Sequence, residues 1–256
     1  METLSRKPFQ GIYNIIRFNW HYYAILLIVC IIIVIAKILF LHDSIYCNVL
    51  LWSILIPMLI SLVVSYYIYD LSNLYTFDWV KPQHQKSSDD SHIIHIHAGF
   101  DETSYILHQK YPKANLTILD FYNPAKHTEI SIKRARKAYP AYPNTKTTDT
   151  TKIELPNAYA DMIFLMLAAH EIRDHKERIA FFSELKRVLK PHGHIIVTEH
   201  LRDVPNIVVY NIGALHFFTK STWLNTFQQA GLRVDTQYHI NPFITTFILS
   251  HHGIAP

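Results

Sequence analysis

Apolar residues are concentrated at the start of the chain, in two long runs. The first, YYAILLIVCIIIVIAKILFL, covers residues 22–41, and the second, VLLWSILIPMLISLVVSYYIY, covers residues 49–69. Each run has about the 20 residues that an α-helix needs to cross the hydrocarbon core of a bilayer. Only a short polar connection separates them. The pattern therefore predicts a transmembrane helical hairpin within residues 1–70.

The basic residues beside this hairpin precede the first run or follow the second, and the connection between the runs has none. They are Arg6, Lys7, Arg17, Lys81 and Lys86. Lys and Arg accumulate on the cytoplasmic side of membrane proteins. A cleaved signal peptide is less favoured, because a second apolar run follows directly. We expect an integral protein of a bacterial inner membrane, with two spans and with its N-terminus and C-terminal domain in the cytoplasm.

A polar stretch over residues 71–91 reads as a linker. Beyond it, short apolar runs alternate with segments of helical periodicity. HIIHIH, NLTILDF, ADMIFLMLA and HGHIIVTEH are predicted strands, and RVDTQYHI and FITTFILS are two final strands that are close enough to pair. This alternation predicts an α/β fold, a Rossmann-like, doubly wound and mostly parallel sheet over residues 92–256.

Composition narrows the function classes. Half of the 256 residues are hydrophobic, 17% are charged and the net charge is +4. No Lys/Arg-rich run with interleaved aromatic residues occurs, so nucleic acid is not an expected partner. Cys30 and Cys47 both lie in the apolar N-terminal part, which excludes thiol chemistry and cysteine-bound zinc from the predicted sheet domain. No pattern specifies an oligomeric state.

The segment SHIIHIHAGFDETSYIL, residues 91–107, allows three interpretations. His95 and His97 are two apart on a strand and share a face, where a metal would need a third ligand from elsewhere. HEIRDH, which begins at His170, lacks the four-residue histidine spacing of a helical zinc motif, and we expect no metal. An ordinary core strand is the second interpretation, although histidines are costly to bury without partners.

A cofactor-binding turn is the third interpretation. The turn is AGF, residues 98–100, and a helix capped by Asp101 follows, so backbone N–H groups face a ligand. Asp120 ends the next strand, about 20 residues after Gly99, the spacing at which a carboxylate accepts ribose hydroxyls. Asp101 and Glu102 place negative charge where a pyrophosphate would lie, which disfavours a nucleotide oxidoreductase. S-adenosylmethionine, with a ribose, a sulfonium and an ammonium, fits these charges.

These motifs resemble those of class I S-adenosylmethionine-dependent methyltransferases from residue 91 to the end. The place of the glycine-rich first motif is taken by IIHIHAGFD, with His97 and Asp101 where glycines are usual. The acidic second motif corresponds to LTILD. TTDTTKIELPNAYADMIFLMLAAHEI is similar to the third region, and FFSELKRVLKPHGHIIVTEH to the following helix, turn and fifth strand.

The resemblance implies a set of cofactor contacts. The turn would face the methionine part, the acid after the second strand would hold the ribose, and three residues would surround the adenine. The carbonyl at the end of the fourth strand would accept the methionine amine. In chain order the implied residues are His97, Ala98, Gly99, Phe100, Asp101, Asp120, Phe121, Asp149, Thr150 and Leu165.

Two histidines, His170 and His200, follow predicted strands at their carboxyl ends, where a ligand binds. Either is a candidate general base if the methyl acceptor is a hydroxyl. The segment RDVPNIVVYNIGALHFF is unusually apolar for a loop, and we expect Arg202, Asn211 and His216 within it to line an acceptor pocket.

A membrane anchor favours a substrate that dissolves in the bilayer, because confinement raises its effective concentration. The sequence therefore predicts a membrane-anchored methyltransferase that O-methylates a lipophilic or phenolic small molecule. The alternative is a non-catalytic, membrane-tethered binding module whose cofactor turn has decayed.

Overall fold

The computed structural model describes residues 6–42, 44–80 and 91–251. Several features used above lie outside the described residues. They are Asp43 in the connection of the hairpin, residues 81–90 of the predicted linker, and the basic residues Lys81 and Lys86.

Two apolar helices form the N-terminal hairpin. α1 spans Gln10–Phe40 and α2 spans Ile45–Tyr66, and a π-helical turn over Tyr67–Leu71 continues α2. Both are long and apolar enough to cross a membrane, and only 6% of the most apolar stretch of each is buried. A core helix of a water-soluble protein buries most of its apolar surface, and these helices do not.

α1 begins well before the apolar run that predicted it. The helix is interrupted at Asn19, which has non-helical dihedral angles (φ −113°, ψ 16°). The side-chain amide of Asn19 donates to the carbonyl of Ile15 at 3.1 Å. The turns before Asn19 contact the sheet domain, and this packing stabilises helix where the sequence is too polar for a membrane span.

Residues 91–251 are built on a seven-stranded sheet with strand order β3-β2-β1-β4-β5-β7-β6. β1 to β5 run parallel, and β7 is antiparallel to both β5 and β6. The predicted α/β, mostly parallel fold is confirmed. The strands are β1 His92–His97, β2 Asn115–Asp120, β3 Lys146–Thr147, β4 Ala160–Met166, β5 Leu189–His200, β6 Leu232–Asn241 and β7 Ile244–His251.

Five helices connect these strands: α3 Ser104–Lys110, α4 Ile130–Ala138, α5 His175–Val188, α6 Val204–Tyr210 and α7 Lys220–Gln229. α5 and α7 start at Asp174 and Thr219, whose side chains accept a backbone N–H of the first turn. The sequence predicts an apolar loop at the position of α6, and the structure has a short helix there. Asp203 caps it by accepting from the N–H of Asn206.

Each face of the sheet has its own core. Aromatic residues of α5 and α7 cover one face. On the other face Leu74, Phe77 and Val80 are fully buried against β1, β4 and β7. The polar linker predicted from residue 71 is therefore wrong over residues 71–80, because this segment fills the core next to the sheet.

The carboxyl ends of the central strands meet at one edge. His97 at the end of β1 pairs in register with Asp120 of β2, and Ile96 pairs with Leu165 of β4. Strand order reverses between β1 and β4, which is where ligands bind in sheets of this kind. The base of the hairpin lies against this edge.

Candidate active site

A cavity of about 280 Å3 lies at the carboxyl ends of β1 and β4. The sheet domain supplies Ala98 and Phe100 after β1, and residues 166–168 at and after the end of β4. The opposite wall belongs to the hairpin. Its residues are Gly11, Asn14, Ile15, Phe18, Asn19 and Tyr69, and Tyr75 follows the hairpin. The cavity therefore exists only where the hairpin meets the sheet.

Glu102, two residues after the turn, holds the hairpin in place. Its Oε1 accepts hydrogen bonds from Gln10 Nε2 at 3.0 Å and Asn14 Nδ2 at 2.9 Å, and pairs with Arg6 Nη1 at 3.1 Å. Its Oε2 accepts from the hydroxyl of Tyr75 at 3.0 Å. The carboxylate is thus fully engaged by groups from the hairpin and the segment after it, and it docks the hairpin on the sheet domain.

The two helices of the hairpin are locked to each other at the same level. Asp70 accepts from the backbone N–H groups of Gly11 and Ile12, both at 2.8 Å, and so caps the start of α1. A Cβ on Gly11 would lie 2.4 Å from the Cβ of Tyr69. Only glycine permits this approach.

α4 fixes α1 from the other side. Arg134 Nη1 donates to the carbonyl of Phe18 at 2.6 Å and to His21 Nδ1 at 2.8 Å. The hydroxyl of Tyr139 donates to Asn14 Oδ1 at 2.8 Å. The first helix is therefore held by three parts of the protein: the end of α2, the turn after β1, and α4.

The turn after β1 has the backbone shape that the sequence indicated. Gly99 has φ +93°, a left-handed conformation that favours glycine. Its N–H donates to His97 Nδ1 at 3.1 Å. Ala98 and Phe100 on either side line the cavity. The histidine that replaces a glycine thus supports the turn from within.

His95 is not part of a metal pair. Its two ring nitrogens lie 2.8 Å from the hydroxyls of Ser104 and Thr103, so neither faces a common ligand with His97. Burial lowers the pKa of His95 to about 4. The ring is therefore neutral at neutral pH and serves as a hydrogen-bonded core residue.

His97 and Asp101 form a buried polar pair beneath the turn. His97 Nε2 and Asp101 Oδ2 are 3.9 Å apart, and each is buried without a hydrogen-bond partner. Asp101 Oδ1 accepts from the N–H groups of Thr103 and Ser104 at the start of α3. Burial opposes ionisation of Asp101, but His95, His97 and these bonds outweigh it and lower the pKa of the carboxyl group.

Asp120 lies at the expected edge, but it has a partner. Its Oδ1 accepts from the N–H of Tyr122 at 2.9 Å, and its Oδ2 pairs with Arg136 Nη1 at 2.5 Å. A Cβ on Gly99 would lie 2.8 Å from the same guanidinium. Arg136 thus occupies the space beside Gly99 and Asp120 in which the sequence analysis expected a ribose.

The residues expected around the adenine take other positions. Phe121 is buried and packs on Phe181, with ring centroids 5.5 Å apart. The carboxylate of Asp149 accepts from Thr151 and shapes an exposed turn. Thr150 donates to Glu177. Phe121, Asp149 and Thr150 do not line the cavity.

Leu165 is buried inside β4. The next three residues, 166–168, reach the cavity instead. The chain after β4 thus reaches the cavity one to three residues later than Leu165.

His200 faces the cavity with a hydroxyl from the hairpin. Its Nδ1 lies 3.1 Å from the carbonyl of Phe243, which can only accept, so Nδ1 carries the proton. Nε2 then accepts from the hydroxyl of Tyr69 at 2.8 Å. Burial lowers the pKa of His200 to about 4, so the ring is neutral at neutral pH. His200 therefore reaches the cavity through Tyr69.

His170 is a different kind of group. Burial disfavours its protonated form, but Glu199, with Oε2 2.6 Å from Nδ1, and Glu171 outweigh burial and raise the pKa of His170 to about 10. An imidazole that holds its proton so firmly donates rather than accepts. In this state His170 pairs with the carboxylates of Glu199 and Glu171 at the cavity wall.

The segment expected to line an acceptor pocket contributes one residue, Phe217. Arg202 donates to the carbonyls of Phe217 and Leu215, and so braces the loop. Asn211 is exposed and has φ +50°. His216 lies behind the cavity wall, beside His170 with ring centroids 5.1 Å apart.

Residues 98–197 match the family model described as a methyltransferase domain. The match covers 100 of the 256 residues, and over this part the chain is similar to a methyltransferase domain. The match begins at the turn after β1 and ends within β5, and so includes the sheet-domain side of the cavity.

Curated relatives of the methyltransferase domain are distant. Demethylmenaquinone methyltransferase of Chlamydia muridarum (strain MoPn / Nigg) is 24% identical over 155 residues, which cover 56% of this chain and 63% of that protein. The protein of the same name from Chlamydia trachomatis serovar D is 26% identical over 127 residues, 49% of this chain and 52% of that one. The chain thus spans between half and two thirds of their length.

Solved structures share the fold. A SAM-dependent methyltransferase from Aquifex aeolicus superposes with a TM-score of 0.50 at 18% identity, over 75% of this chain and 97% of that one. The [4+2]-cyclase SpnF superposes with a TM-score of 0.53 at 12% identity, over 72% and 83%. A cyclase among these structures shows that the fold by itself does not name a reaction.

The family match and the fold indicate S-adenosylmethionine as the cofactor. The residues present fit it on one condition. The left-handed turn at Gly99 and the carboxylate of Asp120 lie at the strand ends where such a ligand would bind. Asp101 is buried beneath the turn, and Arg136 must leave Asp120 before ribose hydroxyls can approach. The side chain of Arg136 is 38% exposed, and its guanidinium also lies over the ring of Tyr122, 4.4 Å from the centroid.

Proposed function

We propose that this protein is a membrane-anchored, S-adenosylmethionine-dependent methyltransferase whose acceptor is a lipophilic molecule with a phenolic or other hydroxyl group. One observation carries the proposal: the cavity lies between the strand ends that bind the cofactor and the base of two exposed apolar helices. An acceptor that reaches the cofactor in this cavity contacts the hairpin.

The surface of the sheet domain beside the hairpin supports the proposal that a membrane lies next to α6. Tyr210 of α6 packs with Val64 and Tyr69 at the end of α2. The outer side of α6 and of the following turn is apolar and exposed, through Val204, Ile207, Val208, Ile212 and Leu215. Such a surface beside a membrane helix suits the boundary between headgroups and acyl chains. With the N-terminal basic residues, it favours a cytoplasmic sheet domain at an inner membrane.

The cavity wall suits an apolar ring that carries a polar atom. Phe18, Ile132, Met166 and Phe217 are apolar, and the hydroxyl of Tyr69 is among the polar groups that reach the cavity. The curated relatives are named for demethylmenaquinone, and a quinol-type ring belongs to this chemical class. Phenols of this kind partition into lipid and present a hydroxyl group for methylation.

The chemistry divides between cofactor and protein. When bound, S-adenosylmethionine supplies an electrophilic methyl group. The protein aligns the acceptor oxygen with it, and alignment provides most of the acceleration in such a displacement. His200 is unprotonated at neutral pH and accepts a hydrogen bond from Tyr69, so the pair can take up the hydroxyl proton of an acceptor bound beside Tyr69. Positive charge held at His170 would stabilise the charge that develops on the acceptor oxygen.

The test is transfer of labelled methyl groups by the full chain in lipid nanodiscs. Label should enter the organic phase of a membrane lipid extract, and Tyr69→Phe should lower the rate by about 100-fold, the contribution of a positioned proton acceptor. Tyr67→Phe, on the same turn but outside the cavity lining, is the matched control. Label found only in water-soluble compounds would overturn the proposal.

A second candidate is a binding module without catalysis. The ion pair between Arg136 and Asp120 favours it, because this contact blocks the ribose position. Calorimetry distinguishes the two: an enzyme binds S-adenosylmethionine, whereas a module that has lost its cofactor site gives no heat while the domain remains folded.

A further inference from the structure

Two histidines and a glutamate meet at the rim of the cavity. His170 Nε2 lies 3.4 Å from Glu171 Oε1, and His216 Nε2 lies 3.6 Å from the same oxygen. One ligand atom from each of the three residues falls within 4.8 Å of the others. His170 and Glu171 line the cavity. The prediction of no metal rested on the spacing of the histidines near His95 and His170, and it did not include His216.

Both imidazoles are oriented by a second carboxylate. His170 Nδ1 lies 2.6 Å from Glu199 Oε2, and His216 Nδ1 lies 3.1 Å from Glu129 Oε1. Both Nε2 atoms consequently face Glu171. Carboxylates bonded to the outer nitrogens of two histidines are the usual surroundings of metal-binding imidazoles, where they fix the ring and increase its basicity.

The backbone holds the same residues together. Arg173 Nη1 donates to the carbonyl of His170 at 3.2 Å and to that of His216 at 2.5 Å. This guanidinium joins the turn after β4 to the loop before α7. The two histidines are therefore positioned by a shared partner that is itself not a metal ligand.

Distances and charge both suit a divalent ion. Ligand atoms about 2.0–2.1 Å from a tetrahedral ion are about 3.4 Å apart, close to the two separations in the structure. The carboxylates of Glu129, Glu171 and Glu199 surround the two imidazoles and supply negative charge beside a bound cation.

We propose that His170, Glu171 and His216 bind a divalent transition-metal ion, with zinc the best match, and that the remaining coordination position faces the cavity. Two nitrogens and one oxygen form the ligand set of catalytic zinc sites, which keep one position open. Binding of the ion does not depend on methyl transfer. Its role does rest on the proposed function: the open position would hold and polarise the hydroxyl oxygen of the acceptor.

The test is metal binding by the full chain in detergent, after removal of metals with a chelator and without cofactor or acceptor. Competition with a chromophoric chelator should give about one tightly bound zinc ion per chain, and Co2+ should give the visible absorption of a four- or five-coordinate site. Glu171→Gln and His216→Gln should each weaken zinc binding by at least about 100-fold, and Glu129→Gln, on the surface, by about 10-fold.

The matched control is His108→Gln, which removes an exposed histidine on α3 and should leave binding unchanged. A melting curve for each variant shows that it is folded. The site is overturned if the folded wild-type chain binds no zinc at micromolar concentrations. It is also overturned if the His216→Gln variant binds zinc as tightly as the wild type. Zinc binding without methyl transfer would instead retain the site and reject the proposed function.

Discussion

Asn14, in the first turns of α1, donates a hydrogen bond to Glu102 beside the cofactor turn at 2.9 Å, across 88 positions of sequence. Through this contact the apolar hairpin and the sheet domain become one unit. The hairpin is part of the cavity wall and is more than a tether.

Loss of the Glu102 carboxylate should undock the hairpin. Glu102→Gln removes the charge that Arg6 pairs with, and charge-assisted hydrogen bonds are worth about 1.5–3 kcal/mol each. We expect a drop of several degrees in Tm in detergent, together with weaker cofactor binding. Glu154→Gln, an exposed acid in the same domain, should change neither quantity. An unaltered Tm in Glu102→Gln would show that the contacts of Glu102 with the hairpin do not stabilise the fold.

A methyl group at the crossing of the two helices should have a similar effect. Gly11→Ala places a Cβ 2.4 Å from that of Tyr69, so the helices must separate or shift. Overpacking of this kind costs about 1–3 kcal/mol. Gly213→Ala is the matched control, because its nearest neighbour would be 3.8 Å away. Differential scanning calorimetry of both variants measures the difference, and equal melting temperatures would contradict the close approach.

Removal of the Arg136 side chain should strengthen cofactor binding. Arg136 pairs with Asp120 and must leave before the ribose binds, so Arg136→Ala removes a competitor. Partly exposed ion pairs are worth about 0.2–1 kcal/mol, which corresponds to a lower Kd by about 1.5- to 5-fold. Lys137→Ala on the same helix is the control for charge alone. Weaker binding by Arg136→Ala would mean that the guanidinium contacts the cofactor.

Stability should fall in mild acid. In the folded protein the pKa of His95 is about 4, below its ordinary value of 6.5. Between these values the unfolded chain binds a proton that the folded chain does not, so stability is fully present above pH 6.5 and decreases toward pH 4. The loss from one such group is about 3 kcal/mol. Denaturant titrations at several pH values give the free energy of unfolding as a function of pH. Between pH 6.5 and 4 this free energy should fall less steeply in His95→Gln than in the wild type. Equal pH dependence in the two proteins would contradict a neutral buried ring.

The sheet could be predicted because its signals are local. Each strand is a short apolar run, and the order of strands and helices determines the topology. The turn at Gly99 and the position of Asp120 follow from the same local pattern. Sequence patterns also identified the two helices of the hairpin.

The contacts that close the cavity could not be predicted in this way. The sequence predicts that Glu102 lies near a cationic cofactor. Its hydrogen-bond partners in the structure include Gln10 and Asn14, about 90 residues earlier in the chain. Residues 71–80 look polar because Asp78 and Asn73 are polar, whereas the apolar residues between them pack on the sheet. In both cases the deciding partner is distant in sequence, and its identity leaves no local pattern.

The interruption of α1 at Asn19 divides the helix into two parts with different surroundings. Residues before it complete a chamber, and residues after it are available to lipid. A water-soluble fragment prepared by deleting the N-terminal helices would consequently have an open trough in place of the chamber, with Phe100 exposed to water. Inhibitors selected against such a fragment would be fitted to a shape that the intact protein does not present.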